Sequence, residues 1–91
     1  MIAQGQSKTV KLSSASRFAL ITSGVTAYNM GFYILATNSG PTVLVKKEVS
    51  PAQNVTLTFQ SSGDLTIANN SEYTITCTFY MLDNGSSVSN I

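Results

Sequence analysis

Apolar and polar residues alternate with a period of two through much of this chain, the signature of strands that bury one face. Over residues 8–12, Val10 and Leu12 fall on one side and Thr9 and Lys11 on the other. Residues 55–60 set Val55, Leu57 and Phe59 against Thr56, Thr58 and Gln60. Leu65 and Ile67 flank Thr66 in the same way. The longest run, 72–82, places Tyr73, Ile75, Cys77, Phe79 and Met81 on one face and Thr74, Thr76, Thr78 and Tyr80 on the other. Residues 42–49 carry Val43, Val45 and Val49 in phase. Residues 17–22 and 32–37 are apolar at nearly every position, which suits strands covered on both sides.

Turn-forming residues separate these runs: Ser23-Gly24, Asn38-Ser39-Gly40-Pro41, Ser50-Pro51, Ser61-Ser62-Gly63-Asp64, Asn69-Asn70-Ser71 and Asp83-Asn84-Gly85. About seven strands at this spacing predict an all-β fold, an antiparallel β-sandwich with jelly-roll-like winding. Residues 25–31 have room for one helical turn between Gly24 and Gly31. The expected core is Phe18, Leu20, Ile34, Val43, Val45, Val55, Leu57, Phe59, Ile67, Ile75, Cys77 and Phe79. Residues 1–91 are expected to form a single domain, with 1–6 and 83–91 as short flexible arms.

Composition changes this picture mainly at the surface. The chain has 13 Ser and 11 Thr, so its polar residues are hydroxylic rather than charged. Five basic and four acidic side chains leave a formal net charge of +1, without the basic excess of a nucleic-acid binder. Low net charge and a small core without staples both favour self-association. Lys46-Lys47-Glu48 is placed to guard one sheet edge. No apolar run reaches the roughly 20 residues of a spanning helix, so no membrane partner is expected. The opening residues lack the apolar segment of a signal peptide, which predicts synthesis in the cytoplasm.

The chemistry expected of these residues is limited. With no His, the chain has neither an imidazole base nor a His metal site. A single Cys, Cys77, allows no internal disulfide or cysteine-based zinc site, and its phase places it in the core. Glu48, Asp64, Glu72 and Asp83 are scattered through turns and strand ends, where Asp serves turn geometry. No enzyme activity, metal or other cofactor is expected. The segment 26–33 stands out for Tyr28, Asn29 and Met30 in a loop, a composition typical of interface cores. Its competing role is to plug one end of the sandwich, and Tyr28 or Tyr33 also has the ring needed to stack on a sugar. Ile2, Val88 and Ile91 are the apolar residues of the expected arms and the anchors they offer a partner.

The residues also carry a resemblance. It rests on Lys8-Thr9-Val10-Lys11-Leu12 after a short polar lead and on Gly31-Phe32-Tyr33-Ile34-Leu35-Ala36. It rests too on Leu65-Thr66-Ile67-Ala68-Asn69-Asn70, followed by a long threonine-alternating strand. This arrangement resembles small bacteriophage virion β-sandwich proteins, found as head decoration proteins and as modules of tail fibres and spikes. The similarity spans roughly residues 8–82 and is one of pattern and texture. It implies a structural virion protein on the capsid exterior. Such a protein forms a homo-oligomer, with a trimer favoured, binds the major capsid protein or another virion protein, and stabilises the capsid lattice. The alternative it implies is a receptor- or glycan-binding module of a tail fibre or spike. No individual functional residue is carried over.

Overall fold

Each of the seven expected runs contains a strand in the computed structural model, which describes residues 1–11, 17–37, 43–60, 64–82 and 87–90. The strands are β1 (Ser7–Val10), β2 (Arg17–Ser23), β3 (Gly31–Thr37), β4 (Val43–Ser50), β5 (Val55–Phe59), β6 (Leu65–Asn69) and β7 (Thr76–Met81). An eighth, β8 (Ser87–Asn90), follows. The run expected over 72–82 is shorter than its alternation predicts: its strand starts at Thr76, because the Asn69 and Ser71 side chains hold the backbone of residues 71–73 in a bend. The side chains of residues 43–46 and 87–90 lie outside this description. A 3-10 turn at Ala27–Asn29 occupies the place expected for one helical turn.

The strands form two antiparallel sheets, one of five strands in the order β4-β3-β2-β7-β8 and one of three in the order β1-β6-β5. The chain crosses between sheets at β1 to β2, β4 to β5 and β6 to β7, and otherwise runs as hairpin neighbours. Phe18, Leu20, Tyr33, Leu35, Cys77 and Phe79 from the large sheet meet Leu57, Leu65 and Ile67 from the small one. Val10, Val55, Phe59 and Met81 pack at the margin of this layer. The molecule is thus an all-β sandwich whose core is the space between the sheets.

In β3 the expected phase is reversed: Tyr33 and Leu35 are fully buried and Ile34 sits on the opposite face. Strand pairing decides it. Leu35 pairs with Phe18 and Tyr33 with Leu20, and paired residues share a face. A run apolar on both faces carries no phase of its own. The Tyr33 hydroxyl is satisfied inside by the Ala52 amide, which donates to it at 2.8 Å. Of the remaining expected core, Val43 and Val45 lie outside the described side chains.

The arms also differ from expectation. Ile2 has no exposed surface and belongs to the core. Its amide donates to the Ile75 carbonyl at 2.8 Å, and the Ile75 amide returns the bond at 3.0 Å. The Gly5 amide donates to Asn69 and the Asn69 amide to Gln6, so residues 2–6 are laced to β6 and to the lead into β7. At the other end, residues 87–90 pair with β7 as an edge strand, with Val88 at the register shift between Ser87 and Ser89. Residues 83–86 and Ile91 lie outside the described residues.

Candidate functional site

The two sheets present very different outer faces. On the small sheet, Thr9, Thr66 and Thr58 lie in one cross-strand row, and Ser7, Ala68 and Thr56 in the next. Thr9 and Thr66 share a hydroxyl hydrogen bond of 3.0 Å, and the Gln60 amide donates to Thr66 at 3.1 Å. On the large sheet, one outer row runs Phe32, Ile21, Thr78 and the next Lys47, Ile34, Ala19, Tyr80. Ile21 and Phe32 are each more than a third exposed, and Met30 is 59% exposed beside them. With Gly31 and Ser50, these three line a shallow apolar hollow of about 240 Å³.

Three charged residues fall together at one margin of the large sheet. Its outermost strand, β4, carries Lys46, Lys47 and Glu48, the position where charges block pairing with another strand. A bulge in the β3–β4 pairing accompanies them, leaving Val49 half exposed.

A second feature lies at one end of the sandwich. Thr26, Tyr28, Asn29, Gln53, Asn54, Ser71, Glu72 and Tyr73 line an open cleft of about 380 Å³. Two buried asparagines hold its walls. Asn29 turns its side-chain oxygen back to accept from the Thr26 amide at 3.0 Å and the Thr26 hydroxyl at 3.2 Å. The Thr22 hydroxyl donates to the Asn29 carbonyl at 2.8 Å. On the opposite wall, the Asn69 amide group donates to the carbonyls of Ile2 and Tyr73 at 2.9 and 2.8 Å. Its oxygen accepts from the Ser71 amide at 3.0 Å. The floor is tied in by the Gln53 amide donating to Tyr28 and the Asn70 amide donating to Asn54.

Of the residues expected at an interface, Tyr28 and Met30 are exposed, at 70% and 59%, the first lining the cleft and the second the apolar hollow. Asn29 is only 2% exposed and Ile2 fully buried in this chain's own fold, so neither presents a side chain to a partner. The reason is local for Asn29, whose amide caps its own turn, and tertiary for Ile2. The side chains of Val88 and Ile91 lie outside the description. Sequence reading missed Tyr73, Gln53, Asn54 and Glu72 in the cleft, and Ile21 and Phe32 on the sheet face. The turn signals at 50–51 and 69–71 mark loops but carry no information on which loops meet.

The ionisable groups among the described residues lie on different parts of the fold. Among the described residues no three metal-ligating side chains cluster. Glu48 lies on the β4 edge, Glu72 in the cleft and Asp64 directly before β6, while Asp83 lies outside the described residues. Burial pushes the Cys77 thiol up to about 11, away from the reactive thiolate. Burial likewise raises the Tyr33 hydroxyl, partly opposed by the hydrogen bond from Ala52. Compared with known protein families, curated proteins and solved structures, the chain matches none of them.

Proposed function

We propose that this chain is a non-catalytic assembly protein that associates with copies of itself through the outer face of the large sheet. The observation that carries this reading is the contrast between the two outer faces. A sheet with one solvated face normally alternates apolar-in with polar-out. The small sheet does so with threonine and serine, whereas the large sheet places Ile21, Phe32, Ile34 and Ala19 on its outer side.

The size of this face sets the strength expected. Five strands about 4.8 Å apart and roughly 20 Å long give a face of about 500 Å² per copy. A standard stable interface takes about 800 Å² per partner, so association is modest and depends on concentration. Exposed Met30 at the rim extends the apolar area. The trimer is the form implied by the resemblance to phage decoration proteins. On that resemblance, the assembled protein sits on the capsid exterior and braces the major capsid protein.

Light scattering over a concentration series from micromolar to millimolar tests self-association. The mean mass is expected to rise with concentration from 9.7 kDa toward three times that value, and a single-chain mass at every concentration refutes the reading. Ile21→Lys adds a charge at an exposed position, so it should dissociate the oligomer while leaving the far-ultraviolet spectrum unchanged. Electron microscopy of purified particles tests the virion role, with density on capsid faces expected and density at a tail tip arguing for the receptor module instead.

A further inference from the structure

We propose that the cleft between the Tyr28 and Tyr73 loops binds a neutral saccharide. This goes beyond the assembly reading and does not depend on it, because the cleft lies at the loop end of the sandwich and not on the sheet face.

The cleft is built before any ligand arrives. Asn29 and Asn69, each almost fully buried, spend their side-chain hydrogen bonds on holding the two loops that present the tyrosines. A side chain at Gly24 would approach Asn29 to 2.7 Å, so the backbone is packed directly on that support. Among the described residues no buried side-chain polar atom lacks a partner, so the inward-facing groups hold the frame. The recognition groups are those that face outward. A preformed site avoids the ordering cost of loops that would otherwise close on a ligand.

The chemistry of the outward groups selects the ligand. Tyr28 is 70% and Tyr73 41% exposed in the same cleft. An aromatic ring offers an apolar face beside a polar hydroxyl, and a pyranose has the matching form, with an axial C–H face and a rim of hydroxyls. Exposed Gln53 and Asn54 add carboxamides that both donate and accept, as sugar hydroxyls require of their partners. The one charged residue in the lining is Glu72. With no cation among the described lining residues, the cleft disfavours carboxylated, sulfated or phosphorylated ligands. Its volume of about 380 Å³ is near the low end for small-molecule sites, enough for one or two sugar rings. Affinity of millimolar order is expected for so small and open a site.

The test is a titration of the nitrogen-15-labelled chain with lactose, cellobiose and N,N'-diacetylchitobiose, with sialyllactose as the acidic control. The expected result is saturable amide shifts at Tyr28, Gln53, Asn54 and Tyr73 with at least one neutral sugar, and weaker or no binding of sialyllactose. Tyr28→Ala and Tyr73→Ala, both at exposed positions, should each weaken binding about tenfold, and Tyr28→Phe should retain it. The proposal is overturned by absence of shifts with every neutral sugar, by shifts confined to other surfaces, by preference for sialyllactose, or by binding that survives both alanine variants. Light scattering on the same samples reads self-association separately, so either proposal can fail while the other stands.

Discussion

Cys77 sits within β7 with no exposed surface, and burial holds its thiol near 11 instead of the usual 9.0. The folded chain therefore keeps this proton where the unfolded chain loses it. Stability should fall as pH rises between about 9 and 11 and show no contribution from Cys77 below that window. Denaturant titrations across the window check the slope, and Cys77→Ala should lessen it. In native protein the thiol should resist alkylation until denaturant is added. Tyr33 makes a different residue-scale demand. Its hydroxyl is the acceptor for the buried Ala52 amide, so Tyr33→Phe should cost about 1–3 kcal/mol by leaving that donor without a partner. Chemical denaturation measures it, and a neutral outcome would mean that water reaches Ala52.

At the scale of elements, the first residues of the chain act as an extra piece of sheet. Ile2 exchanges both backbone hydrogen bonds with Ile75, and its side chain closes the core beneath them. Ile2→Ala should cost about 2–5 kcal/mol, the range for truncating a buried aliphatic side chain. A frayed terminus would lose almost nothing, so the same denaturation curve separates the two descriptions. The start of β3 is packed tightly against the segment that follows β4. A methyl group at Gly31 would lie 2.8 Å from both the Ala52 nitrogen and the Thr22 hydroxyl oxygen. Gly31→Ala should therefore destabilise, visible as a lowered melting temperature, because the nearest atoms include backbone that does not swing away.

For the whole molecule, the distribution of polarity matters more than its total. A +1 chain with 10% charged residues has few charges to screen, and the apolar sheet face carries its charges at the rim, as with Lys47 on the outermost strand. Self-association should accordingly change little between low and physiological salt, since hydrophobic contact is not screened. Sedimentation velocity at two ionic strengths checks this, and dissociation on adding salt would point to an electrostatic interface instead.

Strand positions were legible because alternation is a local property: β5 and β6 follow directly from Val55, Leu57 and Phe59 and from Leu65 and Ile67. The edge charges of Lys46-Lys47-Glu48 were legible for the same reason, since an edge can be marked within one strand. Where a run is apolar throughout, as in β3, only pairing with β2 decides that Tyr33 faces in and Ile34 out. Tertiary structure alone decided that Ile2 closes the core, because nothing near it in sequence predicts Ile75 as its partner. It also decided that Tyr28, Gln53, Asn54 and Tyr73 share one cleft, for they come from three separate loops brought together by the packing of two sheets. Local pattern determines what each segment is; non-local pairing determines what it faces.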